Sequence, residues 1–269
     1  MFRDITLGQY YPADSILHKL DPRVKLVATM CYLVSLFLVK NYIGYLIATV
    51  FLISMIALSK VPVKFMVRGM KGIMFLLIIT MICNLLLTPG EVIYSVWKIS
   101  ITKEGVRLTS FMAIRLVLLI MGSSIMTLTT TPNQLTDGLE SLLGPMKKIR
   151  VPVHEIAMMM SIALRFIPIL MEETDKIQKA QMARGADFET KGLIRKMKGM
   201  VPLLVPLFIS AFRRANDLAM AMEARCYQGG EGRTKMKPLS YHRRDAAAYF
   251  VLVIYIGICV MTRWIQVGI

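Results

Sequence analysis

The strongest constraint on this chain is a series of apolar runs, each near the roughly 20 residues a helix needs to cross a bilayer core. Charged residues divide them at 24–39, 42–58, 72–88, 109–130 and 246–262. In hydrocarbon, backbone N–H and C=O groups must be satisfied within the segment, so such runs are helices. The 55% hydrophobic content and mean hydropathy of +0.56 exceed those of an ordinary soluble domain. The expected fold is an all-α integral membrane protein with about five transmembrane helices.

A formal charge of +16 could signal nucleic acid, but the basic residues lie between the apolar runs. That distribution fits anionic lipid headgroups and an acidic protein partner better, and no nucleic acid is expected. Before the first run stand Arg3, Asp4, Tyr10, Tyr11 and Pro12, which do not make a cleavable signal, so the first span is expected to direct insertion. Lys19, Arg23 and Lys25 precede it, and Lys60, Lys64, Arg68 and Lys71 separate the second span from the third. Positive flanks stay in the cytoplasm, which predicts a multi-pass protein of the cell membrane with a cytoplasmic N-terminus and an external C-terminus.

The first two spans are separated only by Lys40 and Asn41, which predicts a tight helical hairpin. Residues 89–108 hold Tyr94, Trp97, Lys98 and Lys103 and suit an interfacial loop. Three parts follow: a four-span membrane domain at 1–130, a cytoplasmic helical domain at 131–245, and a last span at 246–269. The middle part carries 19 of the 33 Lys and Arg.

Within it, Thr131-Pro132-Asn133-Gln134 opens a short amphipathic helix that Gly144-Pro145 stops. A second helix is expected over 153–184 and a third over 192–225, each apolar first and charged later. Arg165 and Pro168 make a simple transmembrane reading of the second poor, and a half-embedded, half-emergent helix fits better. Each ends in a small-Arg-small tripeptide: Ala183-Arg184-Gly185 and Ala224-Arg225-Cys226. A guanidinium at a helix C-terminus between small side chains can enter a narrow groove and make charge-assisted hydrogen bonds. One such Arg reads as macrodipole compensation. Two, at matching ends of matching helices, read as a docking pair.

The strings SILHKLDPRVKL (residues 15–26), AQMARG (180–185) and MEARCY (222–227), in this order, resemble the transmembrane T-component of energy-coupling-factor (ECF) transporters, ABC-type importers. The likeness runs from Tyr11 to the last helix. It implies a non-catalytic scaffold joining two ABC-type ATPases, a heterodimer, to a substrate-binding membrane S-component for uptake of a vitamin or transition-metal ion. It also implies long coupling helices in an L-shaped arrangement, with Ala183, Arg184 and Gly185 docking on one ATPase and Ala224, Arg225 and Cys226 on the other. Cys226 stands where Gly is frequent in the family. It is still small, so close docking is expected to survive, with the helix ending as the point of difference.

The remaining residues carry structural readings. Asp21-Pro22-Arg23 is an N-cap, a first-turn proline and an anchor. Cys31, Cys83, Cys226 and Cys259 show no metal or disulfide spacing and read as small core residues. Arg115 and Arg165 need a partner or a route to the interface. Clusters at Met158–Met160 and around Met197, Met200, Met220 and Met222 would help a coupling surface repack against different capture subunits. His18, His154 and His242 are isolated, and no phosphate-cradling loop occurs, so no cofactor, resident metal or ATP site is expected. A membrane enzyme acting on a lipid or prenyl phosphate is the alternative, but it lacks an acidic metal-binding cluster. A self-contained permease would show inverted repeats, and the halves are dissimilar.

Overall fold

A computed structural model describes residues 10–39, 41–96, 99–186, 188, 193–230, 236 and 238–264. Arg3, Asp4, Lys40, Trp97, Lys98 and Gly192 lie outside the described residues. The protein is an all-α membrane protein of eight helices among those residues: α1 Pro22–Leu38, α2 Tyr42–Ser59, α3 Val63–Leu87, α4 Lys103–Thr129, α5 Pro132–Leu143, α6 Val153–Ala183, α7 Leu193–Ala224 and α8 Arg243–Trp264. The described residues divide into two compact units, one within 8–139 and 239–269 and the other within 140–238.

In the first unit α1 and α2 each pack on α4 and α8, and they meet one another through side chains such as Tyr32 and Phe51, whose rings stack at 6.0 Å, rather than along the expected tight hairpin. The core holds Tyr32, Leu36, Tyr45, Leu52, Leu118, Leu252 and Tyr255. Lipid tails are as apolar as these side chains, so close packing and polar contacts decide which helices meet. The Phe51 and Tyr255 rings stack at 4.2 Å, and the Ser35 hydroxyl shares a 2.8 Å hydrogen bond with the Tyr255 hydroxyl. Gly122 lets α4 approach α1: a Cβ there would lie 2.4 Å from Tyr32 Cε1.

The helix starts obey their sequence signals. The Asp21 side chain accepts the Arg23 N–H at 2.9 Å, with Pro22 in the first turn of α1. At α5, Thr131 N–H donates to Gln134 Oε1 and Gln134 N–H to Thr131 Oγ1, a reciprocal capping box. Beyond α5 the chain tightens into a 3-10 turn, Gly144–Ile149, where a plain stop is expected.

Three further expectations change. The interfacial loop at 89–108 is instead an antiparallel hairpin, β1 Val92–Val96 with β2 Ile99–Thr102, followed at once by α4, which Thr102 caps through Gly105 N–H. Its β-branched content favours strands, a signal the aromatic and basic residues obscured. Helix α3 begins at Val63, nine residues before its apolar run: Pro62 sets the start, and basic residues are good helix formers that bound an apolar window without ending a helix. Finally, among the described residues four helices are long and apolar enough to cross a membrane: α2, α4, α6 and α8. The 17-residue α1 and the apolar Gly72–Leu87 part of α3 are shorter. Helix α6 qualifies because it runs unbroken through Pro168.

The cysteines split. Cys259 is buried in the core, but Cys83 and Cys226 are exposed, so the core reading fails for both. Cys226 owes its position to a helix end, and Cys83 to an outward face of α3.

Candidate functional site

The two tripeptides occupy the same backbone structure. Ala183 closes α6, Arg184 is its C-cap, and Gly185 follows with φ +86. Gly185 N–H donates to Met182 O at 3.0 Å and Ala186 N–H to Gln181 O at 3.0 Å. Ala224 closes α7, Arg225 follows, and Cys226 has φ +54. Cys226 N–H donates to Glu223 O at 2.8 Å and Tyr227 N–H to Met222 O at 3.1 Å. These are two Schellman endings, each closed by paired 5→2 and 6→1 hydrogen bonds that satisfy orphan carbonyls. The expected difference at Cys226 does not occur: a residue with a Cβ adopts the left-handed conformation that glycine adopts in α6.

Ala183, Arg184, Gly185, Ala224, Arg225 and Cys226 are all exposed. Among the described residues neither guanidinium has a carboxylate partner, so both arginines are available to an acidic or carbonyl-lined groove. The helix ends bring each Arg together with its own small neighbours.

The second unit contains both helices, and a latch joins them. The Glu173 carboxylate of α6 pairs with the Arg214 guanidinium of α7 and accepts the Ser210 hydroxyl at 2.9 Å. Glu173 precedes Arg184 by 11 residues, and Arg214 precedes Arg225 by 11. Beside the latch lies a crevice of about 280 Å³, lined by Ile162, Phe166 and Leu170 of α6 and by Ala211, Ala215 and Met222 among others of α7. It extends toward the start of α6 and the end of α7, so the helices pass in opposite senses. Ala211, Ala215 and Ala219 recur every four residues and let the backbones approach closely.

Other residues singled out from sequence fall into place. His154, isolated along the chain, meets Glu140 at 2.9 Å, and a Cβ at Gly230 would lie 2.3 Å from its ring. His18 Nδ1 meets the Ser15 hydroxyl at 2.6 Å, and Nε2 meets Tyr11 O at 2.9 Å. His242 Nδ1 meets Ser240 O at 2.9 Å. Arg115 finds its partner, with Nε donating to the Tyr45 hydroxyl at 2.8 Å and its guanidinium over Phe37 and Tyr45. Arg165 is exposed. Among the described residues no three His, Cys, Asp or Glu are grouped to hold a metal.

Sequence reasoning missed Glu173, Ser210 and Arg214. It also missed a polar knot in the first unit. There Asp21 N–H donates to Asp245 Oδ1 at 2.9 Å, and Lys25 Nζ donates to His18 O and Thr129 O at 3.1 and 2.9 Å. The Arg23 guanidinium lies over the Tyr241 ring at 5.2 Å. A buried Asp and Lys near helix termini were the available signals, but nothing local paired them.

The family described as CbiQ, cobalt transport protein, matches over residues 13–236. A Thermosediminibacter oceani protein named energy-coupling factor transporter transmembrane protein EcfT is 51% identical over 263 residues, covering 98% of this chain and 99% of its own. Relatives with the same name from Clostridium kluyveri and Bacillus subtilis are 53% identical over 266 residues and 44% identical over 264. These cover 98% of this chain in both cases, and 98% and 100% of the relatives.

Proposed function

Since the chain belongs to the CbiQ family and is a transmembrane T-component of ECF transporters, we propose that it couples two ABC-type ATPases to a substrate-binding S-component. In this reading it is not an enzyme. ATP binding and hydrolysis in the partner ATPases, a heterodimer, move α6 and α7, and these helices move the S-component so that a vitamin or transition-metal ion enters the cell.

The observation that carries the reading is the matched pair of helix ends. Each presents an exposed, unpaired Arg on a rigid Schellman cap between small residues, so a groove can close on it without a side-chain clash. A guanidinium held this way loses less entropy on docking than one on a frayed end, and its planar fork suits carboxylates and carbonyl clusters. Arg184 with Ala183 and Gly185 engages one ATPase, and Arg225 with Ala224 and Cys226 the other.

In the membrane we propose that the N-terminus is cytoplasmic, that residues 1–130 and 246–269 form the bilayer part, and that residues 131–245 face the ATPases. The basic flanks support this sidedness. Exposed Met159, Met200 and Met220 on α6 and α7 give the coupling surface soft side chains that repack against an S-component.

The test is membrane co-purification of the chain with its ATPase pair, for wild type and for Arg184→Glu with Arg225→Glu. Loss of both ATPases, with the subunit still inserted, is the expected result. Retention of the complete complex by the double variant overturns the assignment.

A further inference from the structure

The first unit contains a cavity of its own. It measures about 260 Å³ and lies among α1, α2, α4 and α8. Tyr32, Leu52 and Leu252 form its buried back, and the exposed Ile16, Leu58 and Val251 form its open edge. The two threonines in its wall turn their hydroxyls to their own helices, Thr29 to Lys25 O at 2.8 Å and Thr129 to Ile125 O at 2.7 Å. Apart from the buried Tyr32 hydroxyl, what remains is an apolar slot opening at the surface of a membrane unit. Water in such a slot lacks the two to four polar partners it needs, whereas hydrocarbon fits it.

One end of the slot is charged. Lys25 and Arg244 both line it. Lys25 belongs to the polar knot, where its charge and that of Arg23 are balanced by Asp21 and Asp245. Arg244 is not balanced: it is exposed and, among the described residues, forms no ion pair. The next residue, Asp245, is only 2% exposed and bonded to Asp21 N–H, so the backbone that presents Arg244 is fixed at the mouth of the slot.

We propose that this crevice is a binding site for one phospholipid with an anionic headgroup, an acyl chain lying in the slot and the phosphate on Arg244. A guanidinium pairs with phosphate oxygens through parallel hydrogen bonds, and a basic residue at the bilayer surface favours acidic lipids over neutral ones. Bound in this way, the lipid fills the space between the first, second, fourth and last helices of the unit.

The experiment uses the full chain purified in a mild detergent, incubated with equal amounts of phosphatidylglycerol and phosphatidylcholine, and read by native mass spectrometry. Wild type is expected to retain a single phosphatidylglycerol. Arg244→Gln is expected to keep the wild-type melting temperature and to lose about fivefold of the preference for phosphatidylglycerol. Ala248→Phe, which puts a ring into the slot, is expected to abolish retention of both lipids. No lipid on wild type, as when a protein segment fills the slot, overturns the proposal. So does lipid retention by Ala248→Phe equal to wild type. If Ala248→Phe melts early, Arg244→Gln decides: an unchanged lipid preference overturns the proposal.

Discussion

The Asp245 carboxylate accepts the backbone N–H of Asp21 across 224 residues of sequence, at 2.9 Å through Oδ1, while Oδ2 takes the His242 N–H at 2.8 Å. One side chain thus caps α8 and anchors the start of α1. Asp21 in turn caps its own helix through Arg23 N–H, so the first and last long helices of the unit begin at a shared set of hydrogen bonds.

Asp245→Ala removes an ionised acceptor from two N–H groups and leaves Asp21 N–H buried. The expected loss of stability is about 2–3 kcal/mol. Asp245→Asn keeps one acceptor oxygen and is expected to lose less. Unfolding of the purified chain in detergent measures both, and equal melting of Asp245→Ala and wild type contradicts the clamp.

Cys226 sits at φ +54, where a Cβ costs energy and glycine does not. Cys226→Gly is expected to stabilise the end of α7 by about 0.5–1 kcal/mol, after allowing for the greater freedom of glycine in the unfolded chain. Gly185→Ala at φ +86 is expected to cost about 1 kcal/mol. Hydrogen exchange at Cys226 and Tyr227, or at Gly185 and Ala186, reports these shifts through the two bonds closing each cap.

The Glu173–Arg214 pair is partly solvated, its side chains 24% and 39% exposed. A double-mutant cycle with Glu173→Ala and Arg214→Ala is expected to give a coupling of only about 0.5–1 kcal/mol. The charge swap Glu173→Arg with Arg214→Glu is expected to recover part of the loss. A swap no better than either single variant would mean that Ser210 and packing hold the helices without the charges.

Gly122→Val drives a branched side chain into the Tyr32 ring. The expected cost is about 1–3 kcal/mol, with α1 displaced from α4. Tyr32→Leu in the same chain is expected to restore part of it, because the ring is the atom group in the way. Additive losses in the double variant would place the conflict elsewhere.

Hydropathy made α2 and α8 legible because their apolar runs and their helices nearly share boundaries, and it found the end of α4 but not its start, six residues before the run at Lys103. It misplaced the start of α3, where Lys64 and Arg68 close an apolar window but continue a helix. Local punctuation was more dependable: Asp21-Pro22, Thr131 with Gln134, and Gly185 each mark a real terminus. Cys226 was legible as a helix end through its likeness to the first tripeptide, but not as a left-handed residue, since cysteine carries no such preference. The pairs that organise the rest, Asp21 with Asp245, Glu173 with Arg214 and His154 with Glu140, join residues no short-range rule connects. They appear only once packing has brought the elements together.

The latch has a mechanical consequence. Glu173 and Arg214 each stand 11 residues before the Arg that ends their helix, about 16 Å along each axis at 1.5 Å per residue. The helices therefore act as two arms of equal length on a common fulcrum, pointing opposite ways. Rotation about that fulcrum moves both tips through the same arc, so neither arm has leverage over the other. In the proposed reading, two unlike ATPases docked on these tips would work one beam with equal stroke, and their asymmetry would not pass through it.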